Sequence, residues 1–442
     1  MKKSKYCNVK EIAEGVVVTN VKSGTMVLFS DKYAEYVKIA LTVGDVNDSL
    51  RMQPKIRKFL YETGLIVDDN EDEEKTQLLE IEKHKNNNGM LGLTIMPTDD
   101  CNFRCPYCYE DHIKSYMSMD YLDRIAKFVD LRIDQYRGLK VEWFGGEPLL
   151  QLNSIYYLSE KLVKICKSHK KPFLSAMTTN GYYLTIDVFE KLKKLHFLGY
   201  QITVDGMAET HDKQRFLANR DGTWNKIIKN LRDIRDTPCR GFTNICIRSN
   251  FTSGMLPKGK EFIDFLNSEF GNDRRFSYFI RTVADFGGER INYMKDKLIT
   301  DNNLMIELQE YASSLGMKLS MDKSGLSSGG QVCYAGKRNY YILCSDEIVR
   351  KSTCEYDNPL NHLGYITEEG ELIIDRDKEN LWVDGYSCKN TDCQYRITCC
   401  GNACPRINVI YKNTNCVWNE RGVSTVIDVL SKNTANLLVY NE

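Results

Sequence analysis

Three closely spaced cysteines are the clearest chemical feature of this sequence. Cys101, Cys105 and Cys108 have the spacing C-x3-C-x2-C in the stretch CNFRCPYCYE, residues 101–110. A structural zinc site or an ordinary iron–sulfur cluster takes four protein ligands. Three thiolates on a [4Fe–4S] cube leave one iron free to bind a substrate or cofactor. The spacing therefore predicts a cluster with one open iron.

Most of the other cysteines form a second group near the end of the sequence. The chain has 16 cysteines, and nine of them lie between residues 333 and 416. These nine are Cys333, Cys344, Cys354, Cys388, Cys393, Cys399, Cys400, Cys404 and Cys416. Two fully ligated [4Fe–4S] clusters need eight thiolates. We expect the spare cysteine to be Cys399 or Cys400, because adjacent thiolates rarely bind one cube. Two zinc sites of four cysteines each are the alternative.

The composition excludes several function classes. The chain has 442 residues, with 60 Lys+Arg and 60 Asp+Glu, so its formal net charge is +0. This balance gives no reason to expect binding to nucleic acid or to an anionic membrane. No apolar run is long enough to span a membrane, and no signal core follows the basic N-terminal stretch. We expect a cytoplasmic protein, in which the cysteines are metal ligands and not disulfides.

The elements around the first three cysteines follow an alternating pattern. Six predicted strands, each followed by a predicted helix, run from residue 91 to residue 283. They are LGLTIMP, KVEWFGG, FLSAMTTN, YQITVDG, NICIRSN and RFSYFIRTV. The repeats predict an α/β fold with a parallel sheet, either doubly wound or closed into a partial barrel. Reactive residues in such folds sit at the carboxyl ends of strands, where CNFRCPYC, GGEP, TTNG and DGMAETHDKQR lie.

These four motifs together resemble the radical S-adenosylmethionine (SAM) superfamily, over about residues 91–285. The resemblance implies a partial (β/α)6 TIM barrel. It also implies that the open iron chelates the amino and carboxylate groups of SAM. An electron from the cluster then breaks a carbon–sulfur bond of SAM and yields a 5′-deoxyadenosyl radical. The cofactor supplies this chemistry, and the protein positions it and excludes competing reactions.

The resemblance assigns roles to residues at the strand ends. Gly145 and Gly146 let the backbone approach the methionine moiety of SAM, and Glu147 accepts from its ammonium group. Thr179 and Asn180 contact the ribose or the carboxylate of SAM, or form a local Ser/Thr or Asx turn.

Two further strand ends carry charged residues. Asp205 ends a strand that faces the expected cavity and is the candidate catalytic residue, although a solvated capping acid is an equal alternative. Arg248 ends another strand and is a candidate contact for SAM.

The second cysteine group resembles the SPASM extension that follows radical SAM cores. CYAG at 333–336, NHLGYI at 361–366, TEEGELIID, Trp382 and CGNACP carry this resemblance. It implies a nearer auxiliary cluster on Cys333, Cys344, Cys354 and Cys404, and an outer one on Cys388, Cys393, Cys400 and Cys416. The chain departs from the family pattern in having C-x4-C in place of C-x2-C, and Ser352 where a cysteine is expected. A nearer cluster with three ligands and an iron open to substrate is the alternative.

The first 75 residues resemble the peptide-recognition element of enzymes that mature ribosomal peptides. Two strands in GVVVTNVKSGTMVLFS and two helices in SDKYAEYVKIAL and PKIRKFLYETG form a small winged-helix-like domain. Such an element adds a leader peptide as an extra strand at its sheet edge. A structural cap is the alternative. We expect recognition at residues 1–75, a linker at 76–90, the radical SAM core at 91–300, and a bridging segment with the SPASM domain at 301–442.

The combined resemblances imply a peptide-modifying oxidoreductase. The expected enzyme takes a hydrogen from a precursor peptide with a leader sequence and joins a cysteine sulfur to a carbon of that peptide. Its expected cofactors are SAM and three [4Fe–4S] clusters, and a flavodoxin or ferredoxin is the expected electron donor. Carbon–carbon cross-linking of side chains and formylglycine formation in a sulfatase are the alternative reactions. A zinc-stabilised peptide-binding module is the alternative without catalysis.

Overall fold

The computed structural model describes residues 1–42, 46, 53–285, 290–320, 323–413, 416 and 420–440. Its strands are β1 Lys2–Lys3, β2 Cys7–Ile12, β3 Gly15–Asn20, β4 Thr25–Phe29, β5 Ile66–Val67, β6 Leu91–Ile95, β7 Leu139–Trp143, β8 Phe173–Thr179, β9 Phe197–Thr203, β10 Asn244–Phe251, β11 Phe276–Thr282, β12 Tyr340–Leu343, β13 Val349–Arg350, β14 Gly364–Ile366, β15 Leu372–Ile374 and β16 Leu438–Val439. Its α-helices are Asp31–Thr42, Pro54–Glu62, Glu73–Lys85, Met119–Arg132, Leu152–Ser168, Ile186–Lys194, Ala208–Gln214, Trp224–Arg235, Gly259–Phe270, Asn302–Ser314, Arg376–Asp384, Arg396–Cys399, Pro405–Val409 and Glu420–Ser431.

The central sheet contains the six parallel strands that the sequence predicts. Strands β6 to β11 lie side by side in chain order, and each is followed by at least one helix. Leu93 of β6 pairs with Val141 of β7, and both side chains are fully buried. Strand β6 is buried along its whole length, whereas β7 and β8 bury alternate residues, as expected for strands with one face more covered than the other. The predicted partial (β/α)6 core is therefore confirmed, with the strand carboxyl ends at one edge of the sheet.

The chain after residue 330 enlarges this sheet from its β6 side. Strand β12 pairs in parallel with β6, and β13 to β15 continue the sheet as antiparallel strands. The sheet therefore has ten strands in the order β11-β10-β9-β8-β7-β6-β12-β13-β14-β15. As a result, the cysteine-rich region is joined through backbone hydrogen bonds to the strand that precedes the first cysteine motif.

A second sheet forms the N-terminal domain. The predicted strand pair is present as β3 and β4, with the predicted helices Asp31–Thr42 and Pro54–Glu62 beside it. The sequence did not predict β2, which pairs with β3, or β16, which pairs with β4. The short strand β5 after the second helix pairs with β1.

The segment expected to be a linker is mostly helical. The helix Glu73–Lys85 begins after Asp72, whose side chain accepts from the backbone N–H of Lys75 at 2.9 Å. Its last turn contacts the C-terminal region, since Lys85 pairs with Asp384 at 2.7 Å. In the part of the chain that the structure describes, no helix is both long and apolar enough to cross a membrane.

Candidate active site

One cavity of about 420 Å³ opens at the carboxyl ends of the parallel strands. The cysteine loop after β6, the ends of β7 to β11 and residues 334, 353 and 354 of the C-terminal region form its wall. The predicted site residues that line it are Cys101, Cys105, Cys108, Gly145, Gly146, Thr179, Asn180, Arg248 and Cys354. The fold thus brings together motifs that are up to about 250 residues apart in the chain.

The three thiols of the cysteine loop share this wall. Cys101 and Cys105 are buried and Cys108 is half-buried. Burial, with a smaller contribution from neighbouring charged groups, raises the pKa of each of the three thiols. Deprotonation at this position therefore needs a compensating positive charge, which iron ions supply to coordinated thiolates. Three convergent thiols with this property fit a [4Fe–4S] cluster that keeps one iron open.

Two glycines let β7 approach the cysteine loop closely. Gly145 has a φ of +110°, a conformation that side chains strongly disfavour. A Cβ atom on Gly146 would overlap the backbone carbonyl of Asp100, the residue before Cys101. The Glu147 N–H also donates to this carbonyl at 2.9 Å. The glycines therefore fix the position of the cysteine loop, a role that the sequence did not predict for them.

The carboxylate of Glu147 joins the GGEP and TTNG motifs. It is fully buried and accepts from the Thr179 hydroxyl at 2.7 Å and from the Asn180 N–H at 2.7 Å. It also accepts from the backbone N–H of Leu149 at 3.0 Å. Three acceptor positions of the carboxylate are therefore occupied by this chain. Glu147 does not line the cavity, so the structure gives it a positioning role in place of the expected contact with the SAM ammonium group.

The Asn180 side chain reaches the cysteine loop directly. Its amide donates to the Asn102 side-chain carbonyl at 2.8 Å. The side-chain carbonyl of Asn180 accepts from the Tyr182 N–H at 3.0 Å, which is an Asx turn. The Asx turn, one of the two alternatives that the sequence left open for Asn180, is therefore present, and the side-chain amide is directed at the cysteine loop.

Asp205 lies behind the cavity wall. It is fully buried, and its carboxylate accepts from the Tyr107 hydroxyl and, at 2.7 Å, from the Asn250 N–H. The Arg215 guanidinium donates to the Tyr107 oxygen at 2.8 Å. Burial raises the pKa of Asp205, and the charge of Arg215 opposes this shift. Asp205, the predicted catalytic residue, is therefore held within the wall and approaches the cavity through Tyr107.

Two arginines face each other across the β10 and β11 ends of the cavity. Arg248 donates to the Asn250 side chain at 2.9 Å, and Arg281 lines the same wall. Burial and the nearby charge of Arg248 lower the pKa of Arg281 to about 10. Paired guanidinium groups are suited to hold a carboxylate. Arg281 was not predicted, because it follows no motif.

Glu110 is a second cavity residue that the sequence did not single out. It follows the cysteine loop and lines the wall near His112. Burial, and then the charges of Asp99 and Glu147, raise the pKa of Glu110 to about 8. The side chain is therefore mostly protonated at neutral pH. The one feature of the sequence that could have indicated Glu110 as a cavity residue is its position two residues after Cys108.

Three cysteines of the second group lie close to this cavity. Burial, and then the charges of Cys404 and Cys354, raise the pKa of Cys333 to about 12. Burial also raises the pKa of Cys354, and the charge of Cys404 adds to this rise. Cys354 lines the main cavity together with Thr353 and Tyr334. These three thiols match the nearer auxiliary site, with three protein ligands.

Four other cysteines surround a small space farther out. Burial, and then the charges of neighbouring thiols, raise the pKa of Cys399 to about 11. These neighbours are Cys393, Cys416 and Cys388. Cys399 and these three neighbours line one small space, and Cys404 lines it as well. This arrangement matches the outer auxiliary site.

Two cysteines lie apart from these groups, which corrects the ligand sets inferred from the family pattern. Cys344 is fully buried at the end of β12, with its sulfur 3.9 Å from the Met96 sulfur. The charges acting on it come chiefly from Arg350 and Asp346. Cys400 has a φ of +51° and does not line the outer space. Cys400 therefore lies outside the group of thiols that surrounds the outer space, in a left-handed residue directly after the helix Arg396–Cys399.

Comparison with known proteins places the core in a family. Residues 95–257 match the Radical SAM superfamily. The cysteine-type anaerobic sulfatase-maturating enzyme of Clostridium novyi (strain NT) is 31% identical over 151 residues, which cover 32% of this chain and 40% of the relative. The GTP 3′,8-cyclase of Aliarcobacter butzleri (strain RM4018) is 31% identical over 146 residues, which cover 32% of this chain and 42% of the relative. The matches therefore span less than half of these two curated relatives.

A solved structure extends the similarity beyond the core. The structure described as native anSMEcpe with bound AdoMet and Cp18Cys peptide has a TM-score of 0.56 and 16% sequence identity. The similarity covers 77% of this chain and 96% of that chain. The solved structure shows the same fold, and the superfamily match over residues 95–257 falls within the core that the sequence predicts. The predicted fold class is confirmed as well.

Proposed function

We propose that this protein is a radical SAM enzyme that joins a cysteine sulfur to a carbon atom within one ribosomally made precursor peptide. One observation carries the proposal. The cysteine loop and Cys354 of the nearer auxiliary group line the same cavity. A peptide bound there would present a C–H bond to the first site and a thiol to the second.

The cysteine loop and the residues around it are suited to hold a cluster and SAM. We assign the SAM carboxylate to Arg248 and Arg281, and the rest of its contacts to Gly145, Thr179 and Asn180. When bound, the cluster and SAM supply a 5′-deoxyadenosyl radical that removes one hydrogen atom from the substrate. The buried residues around the loop exclude water, which protects the substrate from side reactions.

The nearer auxiliary group is suited to receive the thiol. Cys333, Cys354 and Cys404 are three ligands, so a fourth position is left for a substrate sulfur. Thioether formation removes a hydrogen atom from carbon, a proton from sulfur and one electron. The adenosyl group would accept the hydrogen atom, a cluster held by Cys333, Cys354 and Cys404 would accept the electron, and the proton would leave to solvent. A flavodoxin or ferredoxin is our proposed partner for electron exchange.

The N-terminal sheet is suited to bind the leader of the precursor peptide. Its strand β4 packs beside the helix Pro54–Glu62, and among the described residues β4 pairs on its other side only with the two-residue strand β16. Peptide recognition by strand addition needs such an edge. A leader bound there would tether the reacting part of the peptide and raise its concentration near the cavity.

Mass spectrometry after an anaerobic reaction tests this function. The reaction contains SAM, a reductant and the cysteine-containing peptide encoded beside the gene. We expect the peptide to lose two hydrogens per cross-link and to lose one alkylatable thiol for each. The Cys105→Ala variant is the control without the SAM-binding cluster.

Other outcomes would reject sulfur coupling. Loss of two hydrogens with all thiols still alkylatable would indicate a carbon–carbon cross-link. Conversion of a cysteine to formylglycine would place the activity with that of the sulfatase-maturating relative. A peptide of unchanged mass, with SAM cleaved, would contradict both cross-linking reactions.

A further inference from the structure

The exposed edge expected for strand addition is already occupied by this chain. Strand β16 pairs in parallel with β4, with Leu438 opposite Val27 and Val439 opposite Leu28. The Tyr440 N–H extends the pairing, since it donates to the Leu28 carbonyl at 3.0 Å. An uncovered edge would present unpaired backbone groups to any extended peptide. Residues 438–440, the edge segment, satisfy these groups from within the chain.

One aromatic side chain anchors the edge segment. The ring of Tyr440 is 7% exposed and lies in a pocket between β4 and the neighbouring helices. Its centroid is 4.9 Å from that of Phe59, 5.3 Å from that of Tyr33 and 5.5 Å from that of Phe29. Aromatic contacts at these distances stabilise beyond simple burial.

The rest of the edge segment makes few contacts. Leu438 is 50% exposed and Val439 is 44% exposed, so neither side chain is held in a core. A strand of two residues is short for stable pairing. The segment therefore depends on one ring and a few backbone hydrogen bonds, and it can be displaced at low cost.

The preceding helix keeps the edge segment near its site. The helix Glu420–Ser431 is fixed to β2, where Lys10 pairs with Asp428 at 2.6 Å and donates to the Ser424 carbonyl at 3.1 Å. Val423 and Ile427 of this helix are fully buried against the sheet. A tethered segment rebinds at a high effective concentration after each release.

The other edge of the sheet is strand β2, which side chains of the C-terminal region contact. Asn8 of β2 donates to the Tyr395 hydroxyl at 2.6 Å, and Lys10 is tied to the helix Glu420–Ser431. Side chains of the C-terminal region therefore contact β2 along its length. The β4 edge is covered only by a short strand with a single buried anchor, so it is the edge that a peptide can take over.

We propose that residues 438–440 are an internal competitor that a substrate peptide must displace from β4. This inference rests on the proposed function, in that it assumes a peptide leader. The incoming peptide takes over the backbone hydrogen bonds of β4 and places an apolar side chain in the Tyr440 pocket. The apparent affinity for the leader is reduced in proportion to the time for which the edge is covered.

Fluorescence anisotropy on full-length protein tests the competition. The probe is a fluorescein-labelled synthetic copy of the leader half of the precursor peptide encoded beside the gene. Tyr440→Ala should bind the probe about tenfold more tightly than the wild type, because the edge is then open most of the time. Tyr440→Phe should restore wild-type affinity, since it keeps the ring. Val439→Ala is the matched control, because its side chain is half-exposed, and it should bind as the wild type does.

Unchanged or weaker binding by Tyr440→Ala would overturn the proposal. So would a failure of the probe to bind any of the variants.

Hydrogen exchange gives an independent readout on the unmodified protein. The Tyr440 amide should be protected in the free protein and exchange freely with saturating probe, while the β4 amides stay protected. Protection of both segments with the probe bound would overturn the proposal. A peptide that is modified while residues 438–440 stay protected would refute this inference alone. A peptide that displaces the segment but is never modified would refute the proposed reaction alone.

Discussion

The Tyr107 hydroxyl donates a hydrogen bond to the buried carboxylate of Asp205. Tyr107 lies between two cysteines of the loop, and Asp205 follows β9. Arg215 donates to the same hydroxyl from the opposite side at 2.8 Å. This bridge ties the cysteine loop to residues that follow β9, so the position of the loop depends on the three side chains of the bridge.

Removal of this hydroxyl should destabilise the protein. In Tyr107→Phe, two buried charged groups lose their shared partner, which costs about 1–3 kcal/mol in the free energy of unfolding. Denaturant titration under anaerobic conditions measures this loss. The matched control is Tyr200→Phe, because Tyr200 is 2% exposed and its hydroxyl has no hydrogen-bond partner among the described residues. Equal losses in the two variants would show that the bridge contributes nothing specific.

The arrangement of the outer cysteines predicts different iron contents for two adjacent variants. Cys399→Ala should lose about four irons per chain, because it removes a ligand of the outer site. Cys400→Ala should keep the full iron content, since this thiol lies outside that site. Cys344→Ala should also keep it. Iron analysis of anaerobically purified protein gives the answer, and loss of iron in Cys400→Ala with retention in Cys399→Ala would reverse the assignment.

A methyl group on Gly146 should displace the cysteine loop. The added Cβ would overlap the Asp100 carbonyl, and backbone atoms cannot move aside as a flexible side chain does. We expect Gly146→Ala to lower the visible absorbance of the cluster and the rate of SAM cleavage. Gly254→Ala is the control, since a Cβ there meets nothing within 4 Å. Wild-type absorbance in Gly146→Ala would refute the positioning role.

A buried lysine predicts how stability changes in alkaline solution. Lys351 is fully buried, donates to the Lys337 carbonyl at 2.6 Å, and lies 3.4 Å from Glu379. Burial lowers the pKa of Lys351 to about 8, against about 10.4 in an unfolded chain. Between these values the unfolded chain binds more protons, so this lysine makes the folded state more stable as the pH rises.

The test compares the wild type with Lys351→Met across this pH range. The free energy of unfolding of the wild type, relative to that of the variant, should rise from about pH 8 to about pH 10. Lys229→Met is the control, because it makes the same substitution at a lysine whose side chain is 67% exposed. A difference that is constant or falls with pH would contradict the assigned shift.

The sequence predicted the barrel because six strand patterns alternate with helix patterns along the chain. It did not predict β13 to β15, because strands of two or three residues carry no detectable period. Strand β16 was missed for another reason. Its partner β4 lies about 410 residues earlier in the chain, and no local pattern encodes so distant a pairing.

The candidate site was predicted where motifs carry it and missed elsewhere. Cys101, Cys105 and Cys108 follow from their spacing alone. The choice between Cys399 and Cys400 depends on one left-handed residue after a short helix, which spacing cannot reveal. Arg281 and Glu110 belong to no motif, so only the fold shows that they reach the cavity.

The central claim is that a peptide substrate enters the cavity beside the cysteine loop. Its most direct test uses a precursor peptide with deuterium at every carbon, allowed to react anaerobically with SAM and a reductant. If the claim is correct, the 5′-deoxyadenosine recovered will carry a single deuterium taken from the peptide. If the 5′-deoxyadenosine carries no deuterium while the peptide is intact and bound, the peptide is not the hydrogen donor and the account is wrong.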